Sequence, residues 1–349
     1  MDSILYLLIG TYTFGLSEGI YLYKFDITTG EAQYVAVTAV ENPSYIEVGD
    51  GTYIYAVSEN SDACYANTLF FDRKQETLKF LNRRETLASS PCYIVADASR
   101  KYVVTANYGG GSISVFKTEA NTLTAMSQLI TLEGASVDTV RQSSPHVHCV
   151  RFSPDNKYLF AADLGTDKIH RFDVNREDCT AAFLKEESLK SFKVADASGP
   201  RHFVFHPSNK YMYLINELSG AVIGFTYEDG ELTEFQSIQA DTLHAGGSAD
   251  IGITPNGKFL YASNRLKGDG IAIFSINGAD GKLEKAGYQP TGRHPRNFVI
   301  TPNGKYLLAA SMESNLIEIF EIDELTGLLK NIGKDITTVD RPVCLKFIN

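Results

Sequence analysis

Short apolar runs alternate with polar turns along the whole chain, and the same pattern returns several times. The clearest copies are FSPDNKYLFAADL from Phe152, FHPSNKYMYLINEL from Phe205, ITPNGKFLYASNRL from Ile253 and ITPNGKYLLAASME from Ile300. Each copy reads as the end of one strand, a tight turn and a second strand that opens on an aromatic residue. The pattern predicts a repeated β unit, because the connections are too short to hold a helix between strands.

Two independent markers count the units. The aromatic residue that opens the second strand recurs about every fifty residues, as in propeller blades, at Tyr6, Tyr53, Tyr102, Tyr158, Tyr211, Phe259 and Tyr306. An outer hairpin with a polar turn recurs beside them, and its turns begin near Asp26, Asp72, Lys117, Asp173, Thr226, Asn277 and Asp323. Both markers predict seven four-stranded units.

The two ends of the sequence complement each other. The opening segment LYLLIGTYT has the second strand of a unit but lacks the first, and the closing segment RPVCLKFIN resembles a first strand. We therefore expect both ends to share one blade, which closes the ring and removes exposed strand edges. The predicted fold class is all-β, a seven-bladed β-propeller that forms a single domain over residues 1–349. The longest irregular segment, 132–145, is expected to be a loop over one face.

The composition of the chain limits the kinds of partner and compartment that are expected. The formal net charge of −10 argues against nucleic acid and anionic membranes, which need a basic face. Five scattered cysteines form no C-x-x-C pair and fit a reduced compartment: Cys64, Cys92, Cys149, Cys179 and Cys344. The apolar opening run lacks a leading Lys or Arg and a cleavage site, so a cytoplasmic protein is expected. No cofactor is expected, and the oligomeric state stays open.

Two positions of each unit should meet at the mouth of the central channel: the start of the first strand and the end of the second. The first position holds Ser44, Cys92, His148, Arg201, Ala249, Arg296 and Val343. The second holds Tyr12, Glu59, Tyr108, Leu164, Glu217, Arg265 and Met312. Packing alone would favour similar side chains in equivalent positions, so divergence there indicates function.

Five ionisable residues diverge most and are predicted to surround one positive pocket: His148, Arg201, Glu217, Arg265 and Arg296. Guanidinium groups pair bidentately with carboxylate or phosphate, so the expected ligand is anionic. Any one of these residues could instead form a salt bridge between blades. His202, Asp250 and Asn297 share the next position and are expected to hydrogen-bond between blades.

Other chemistry has weaker support. His146 and His148 point the same way in an HVH segment and could offer two metal ligands, but the sequence shows no third. We therefore expect no metal. The chain has no G-x-S-x-G elbow, H-E-x-x-H motif or P-loop.

The sequence resembles the 6-phosphogluconolactonase family of seven-bladed propeller lactonases, whose fold also occurs in fungal carboxymuconate-lactonizing enzymes. The resemblance covers essentially the whole chain and is most specific in HCVRFSPDNKYLFAADLGTDKI, GPRHFVFHPSNKYMYLINEL, ADIGITPNGKFLYASNR and PRNFVITPNGKYLLAAS. It implies hydrolysis of a small anionic sugar lactone, most simply 6-phosphogluconolactone. The catalytic positions that it implies are His148, Arg201, Glu217 and Arg265.

The implied roles follow from the reaction. A neutral imidazole can take a proton from attacking water near pH 7, so His148 is the expected general base, with Glu217 as its orienter or the alternative base. Arg201 and Arg265 can stabilise the developing oxyanion. The residues assigned to substrate binding are Arg296, as a phosphate contact, His146, Glu59 and Asp250.

Two alternatives remain at this point. A cycloisomerase could use the same positive pocket for a dicarboxylate, and a propeller could serve as a binding module without turnover. Product analysis separates the first, because hydrolysis releases acid whereas lactonization is an isomerisation. The second predicts no dependence of any turnover on the five divergent residues.

Overall fold

The computed structural model describes residues 3–177 and 180–348, so Cys179 lies outside the described residues. Within these ranges, 28 strands and one 3-10 helix, Met312–Ser314, are present. The strands form seven four-stranded antiparallel sheets, named here sheets 1 to 7 in chain order. No helix in the described part of the chain is long and apolar enough to cross a membrane.

Each sheet takes four strands, and sheet 1 takes its strands from both ends of the sequence. Sheet 1 holds β1 Ile4–Thr11, β2 Gly19–Asp26, β3 Ala32–Ala39 and β28 Pro342–Ile348. Sheet 2 holds β4 Ile46–Val48, β5 Tyr53–Ser58, β6 Tyr65–Asp72 and β7 Thr77–Glu85. Sheet 3 holds β8 Pro91–Ala96, β9 Tyr102–Asn107, β10 Ser112–Glu119 and β11 Thr122–Thr131. Sheet 4 holds β12 Val147–Phe152, β13 Tyr158–Asp163, β14 Lys168–Val174 and β15 Leu184–Lys193.

The last three sheets follow the same order along the chain. Sheet 5 holds β16 Pro200–Phe205, β17 Tyr211–Asn216, β18 Ala221–Glu228 and β19 Glu231–Gln239. Sheet 6 holds β20 Ser248–Ile253, β21 Phe259–Asn264, β22 Gly270–Ile276 and β23 Leu283–Pro290. Sheet 7 holds β24 Pro295–Ile300, β25 Tyr306–Ser311, β26 Leu316–Ile322 and β27 Leu329–Asn331.

The repeat predicted from the sequence is confirmed strand by strand. In six sheets the marker aromatic is the first residue of the second strand: Tyr53, Tyr102, Tyr158, Tyr211, Phe259 and Tyr306. The predicted sharing of sheet 1 is confirmed as well, because β1 pairs with β28 in the register Tyr6↔Ile348 to Ile9↔Leu345. The sheet therefore closes with strands from opposite ends of the sequence.

Two outer hairpins turn later than expected. The strands β10 and β18 run on to Glu119 and Glu228, two residues beyond the positions predicted from the sequence. The connecting pairs Ala120-Asn121 and Asp229-Gly230 have positive φ at both residues. Two successive positive φ values match the twist of two-residue hairpins, so the strands extend fully to the turn.

The described chain forms two compact units, residues 41–201 and residues 1–40 with 202–349. The prediction of a single domain stays a prediction. In the second unit, Leu7, Ile9 and Phe25 of sheet 1 pack with Leu308 and Ile319 of sheet 7, and all five are fully buried. Apolar burial of this kind contributes about 25 cal/mol per Å² and is the main force that holds neighbouring sheets together.

Glutamine side chains tie neighbouring outer strands together within each unit. Gln128 of sheet 3 donates to the Leu184 carbonyl and accepts from its N–H, at 2.8 and 3.1 Å. Gln236 of sheet 5 makes the same two bonds with Leu283 of sheet 6, at 2.9 and 2.7 Å. The N–H and C=O of an outer strand have no neighbouring strand to bond with, and the glutamine amide supplies one acceptor and one donor in its place.

The predicted loop at 132–145 is confirmed as irregular structure and is held by an acidic anchor. The side chain of Gln142 is fully buried and donates to the Leu164 carbonyl and to Asp167 Oδ1, both at 2.8 Å. The hydroxyl of Ser136 donates to Asp167 Oδ2 at 2.6 Å. The loop thus lies against the turn that follows β13.

Asp163 organises that turn through both carboxylate oxygens. Its Oδ1 accepts the N–H groups of His146 and Gly165 at 2.7 and 3.0 Å. Its Oδ2 accepts from Thr166 at 2.6 Å and from His170 Nε2 at 3.3 Å. Burial opposes ionisation of Asp163, but the hydrogen bonds from His170, Thr166 and the His146 N–H lower the pKa of its carboxyl below the usual value.

Asp163→Asn is expected to cost about 2 to 3 kcal/mol of unfolding free energy near pH 7, because an amide N–H₂ must face two donors. A lowered pKa contributes stability that is present above the unfolded-state value of about 3.9 and is lost as pH falls through the folded value. The difference in unfolding free energy between wild type and Asp163→Asn should therefore become smaller below about pH 4. Urea denaturation at several pH values measures it. Exposed Asp62 gives the control, Asp62→Asn, and equal effects of the two substitutions would contradict the prediction.

Candidate functional site

The two positions compared in the sequence are neighbours within their sheets. The backbone N–H of the second position donates to the carbonyl two residues before the first position. This bond joins Leu164 to His146 at 3.0 Å, Arg265 to Gly247 at 3.2 Å and Met312 to His294 at 3.0 Å. The predicted adjacency of the two strand ends is therefore confirmed.

In residues 41–201, two histidines lie against the ring of Tyr108. The His146 ring stacks on it with centroids 4.5 Å apart, and the His148 ring meets it edge-on at 5.5 Å. His146 Nδ1 lies 2.9 Å from the Tyr108 carbonyl. Because a carbonyl only accepts, Nδ1 of His146 carries the proton. His148 is buried, and its Nδ1 lies 3.7 Å from Cys92 Sγ.

The other two candidates near this part of the chain differ in burial. Arg201, the second residue of β16, is 1% exposed, which makes it one of the largest fully buried side chains. Burial of a guanidinium is costly unless the group is paired and hydrogen-bonded. Glu59 is half-buried, and its N–H donates to the Asn42 carbonyl at 3.1 Å.

In the second unit, the structure brings Glu217 and Arg265 together. Arg265 Nη2 lies 3.2 Å from Glu217 Oε2, and both side chains are less than a tenth exposed. The guanidinium also donates through Nε to the Gly247 carbonyl at 2.7 Å and through Nη2 to the Ser248 carbonyl at 3.5 Å. Because an ion pair in a low-dielectric site needs additional hydrogen bonds to offset desolvation, these carbonyls fix the arginine.

A histidine not predicted from the sequence completes this group. Arg265 Nη1 donates to His294 Nε2 at 3.2 Å, and His294 Nδ1 lies 3.5 Å from Glu313 Oε1. His294 is two residues before Arg296, in the position that His146 occupies before His148. The residue two before the first position is a histidine in only two of the seven units, at His146 and His294. A comparison of this position across the units would therefore have indicated His294.

The predicted hydrogen bonding of His202, Asp250 and Asn297 is confirmed. His202 Nδ1 and Asn297 Nδ2 both contact the Asp250 carboxylate, at 2.8 and 2.5 Å. Asn297 Oδ1 in turn accepts the Leu345 N–H at 2.7 Å. The chain of contacts links the first strands of sheets 5, 6, 7 and 1, so Asp250 has a structural task; its substrate contact stays a prediction.

Arg296 lies over the ring of Tyr12, with its Cζ 5.4 Å from the centroid. Arg296 is half-buried, and a cation at this distance from an aromatic ring centre is attracted by the ring. No group of three His, Cys, Asp or Glu residues among residues 3–177 and 180–348 is placed to hold a metal ion. The expectation that all five divergent residues surround one pocket stays a prediction.

Seven four-stranded sheets, one of them shared between the two ends of the sequence, define the class of protein as a seven-bladed β-propeller. A family model described as "Lactonase, 7-bladed beta-propeller" matches residues 6–347. The chain therefore belongs to the seven-bladed β-propeller lactonases, a family of lactone hydrolases.

Individual relatives agree over nearly the full length. A 6-phosphogluconolactonase of Formosa agariphila is 38% identical over 91% of this chain and 92% of its own. A solved Bacteroides fragilis structure has a TM-score of 0.96 and 50% identity, and covers 100% of this chain and 99% of its own. The structure of the Pseudomonas aeruginosa periplasmic gluconolactonase has a TM-score of 0.92, 30% identity and 99% coverage of both chains.

Proposed function

We propose that this protein hydrolyses a sugar-acid δ-lactone, with 6-phosphogluconolactone as its substrate and 6-phosphogluconate as its product. One observation carries the proposal. The four catalytic candidates His148, Arg201, Glu217 and Arg265 are all ionisable and only 1 to 7% exposed. Ionisable groups are rarely buried without a partner or a task, and this set supplies a base and anion-stabilising donors.

The reaction needs a proton acceptor and a proton donor in turn. Water attacks the lactone carbonyl carbon and forms a new C–O bond, while its proton passes to the imidazole of His148. The tetrahedral intermediate then breaks the ring C–O bond, and the ring oxygen takes the proton back from the imidazolium. The product is an open acid, which ionises and releases a proton to the solvent.

Charge develops on the former carbonyl oxygen as water attacks. Arg201 and Arg265 are the proposed donors to this oxygen, because fixed donors in a low-dielectric site stabilise a developing anion more strongly than water does. The contacts of Arg265 with Gly247 and Glu217 support this role, since the guanidinium needs no reorganisation before the reaction. Glu217 is proposed to hold Arg265 or to orient the base.

A panel of lactones in a pH-stat tests the function, with the spontaneous opening rate subtracted. We expect acid release to be fastest with 6-phosphogluconolactone and slower with the unphosphorylated δ-lactone. A wild-type protein that opens neither lactone above the spontaneous rate would contradict the proposal. Release of acid would also exclude the cycloisomerase, because an isomerisation releases no acid.

Arg296→Met tests the phosphate contact. A lost charge-assisted hydrogen bond costs about 1.5 to 3 kcal/mol, so we expect KM for the phosphorylated lactone to rise roughly 10- to 100-fold. KM for the unphosphorylated lactone should change little. The matched control is Arg83→Met, since the exposed Arg83 guanidinium also lies over an aromatic ring, 4.1 Å from the Tyr65 centroid. Equal loss on both lactones would contradict the assignment.

The proposed location is the cytoplasm. The four described cysteines are buried thiols that form no disulfide, as expected in a reducing compartment: Cys64, Cys92, Cys149 and Cys344. Fractionation of cells that produce the native protein tests this location, and recovery outside the cytoplasmic fraction would overturn it.

A further inference from the structure

His294 lies between a cation and an anion of the same unit. Arg265 Nη1 donates to His294 Nε2 at 3.2 Å, and Glu313 Oε1 lies 3.5 Å from His294 Nδ1. The side chain of His294 is 15% exposed, whereas that of Glu313 is 44% exposed. The histidine thus shields the contact with the arginine from most of the solvent.

These two neighbours determine the protonation of the ring. A guanidinium only donates, so His294 Nε2 must offer its lone pair and cannot carry a proton. The proton of the neutral ring is therefore on Nδ1, where it faces the Glu313 carboxylate. A carboxylate behind a histidine is a common way to fix one tautomer and one ring orientation.

Backbone hydrogen bonds hold the main chain of His294. Its φ is +63°, and the equivalent residues Asn42, Ser90, Gly199 and Arg341 also have positive φ, so this conformation belongs to the repeated turn. Its N–H donates to Asp269 Oδ1 at 2.8 Å, and its carbonyl accepts the Met312 N–H at 3.0 Å. These two backbone hydrogen bonds fix the main chain of His294 before the ring contacts are considered.

We propose that His294, held by Glu313, is the residue that positions the Arg265 guanidinium for catalysis. The inference rests on the proposed function, because it takes Arg265 as an oxyanion donor. Gly247, Ser248 and Glu217 contact the Nε and Nη2 side of the guanidinium, and His294 contacts Nη1. Loss of the His294 contact removes one of the constraints on the orientation of the donor edge.

Positioning by His294 depends on pH. The charged and titratable groups near this residue include Arg265, Glu313, the neighbouring Arg293, whose guanidinium lies 3.8 Å from Glu313, and Asp269, which accepts the His294 N–H. Protonation of Nε2 removes the acceptor and places two cations against each other. The Nη1 contact of Arg265 therefore needs an unprotonated Nε2 on His294.

Two substitutions of His294 distinguish the effect of its hydrogen bond to Arg265 from the effect of the imidazole ring itself. His294→Ala removes the acceptor, and we expect kcat to fall roughly 10- to 100-fold with little change in KM, the usual cost of a lost supporting contact. His294→Gln can place Oε1 near the former Nε2, so it should recover activity to within about threefold. Full activity of the Ala variant, or no recovery with Gln, would overturn the proposal.

A matched control removes a histidine of similar bonding far from these residues. His206 contacts the Gly257 carbonyl at 3.0 Å and the Ser208 hydroxyl at 2.8 Å in a turn. His206→Ala should leave kcat and KM unchanged. Circular dichroism and thermal melting of each variant confirm that the fold is retained.

A second measurement does not depend on activity. In ¹⁵N-histidine NMR spectra near pH 7.5, the signals that disappear in His294→Gln identify His294. They should show the proton on Nδ1, and Arg265→Lys should shift the Nε2 signal. A proton on Nε2 would overturn the inference. If the wild-type protein opens no lactone, the proposed function fails, whereas an active enzyme with the Nε2-protonated ring refutes the positioning role alone.

Discussion

His148→Ala is expected to lower kcat for lactone opening by roughly 10²- to 10⁴-fold, the contribution of a positioned general base. The imidazole is buried beside Cys92 Sγ and the Tyr108 ring, so its removal leaves a small cavity. The folded state should therefore survive the substitution. A pH-stat assay with the spontaneous rate subtracted measures the loss.

Two controls make the His148 result interpretable. His206→Ala removes a histidine from a surface turn and should keep the wild-type rate, while a melting curve shows that His148→Ala is folded. Glu217→Gln addresses the alternative base. If His148→Ala turns over at the wild-type rate while Glu217→Gln is inactive, the base is Glu217 and the assignment of His148 is wrong.

Arg265→Lys is expected to lower kcat by roughly 10²- to 10³-fold, the usual cost of one lost oxyanion donor. A lysine keeps the positive charge beside Glu217, but one ammonium cannot reach the Gly247 carbonyl, Glu217 and His294 together as the guanidinium does. Charge alone therefore should not restore the rate. Steady-state kinetics with the proposed substrate give kcat and KM separately.

Stability has to be separated from catalysis at this position. Removal of one partner of a buried ion pair costs about 3 to 5 kcal/mol, because the other charge stays buried alone. The double variant Glu217→Gln, Arg265→Met removes both charges and should recover most of the stability but none of the activity. A stable, fully active Arg265→Lys or double variant would show that the guanidinium is not an oxyanion donor.

The sequence predicted the strands more accurately than the site. Each second strand begins directly after a polar turn with a recognisable sequence, so the aromatic markers fall on the first residues of β5, β9, β13, β17, β21 and β25. The repeat supplied seven aligned copies, and an error in one copy could be corrected by the others. The length of the β10–β11 hairpin was missed because a positive φ at Ala120 is not encoded by residue type, whereas the β18–β19 hairpin turns on Asp229-Gly230, a pair that favours positive φ.

The contacts of the site depend on side-chain conformation, which a repeat does not reveal. The pairing of Asp250 with His202 and Asn297 was predicted because the three residues share one position of successive strands. The contact of Arg265 with His294 was not predicted, because two side chains make it between the end of one sheet and the loop before the next. Contacts between residues at equivalent positions of neighbouring strands can be predicted from the repeat. Contacts of long polar side chains cannot, because each of these side chains has several rotamers of similar energy.

The pairing of β1 with β28 has a consequence for synthesis of the protein. Among the described strands, β1, β2 and β3 are translated first, yet one edge of their sheet pairs with β28, which is translated last of these. Until β28 is available, β1 presents unpaired N–H and C=O groups that any extended chain nearby can bind. Sheet 1 can therefore be completed only after the strands of the other six sheets have been translated.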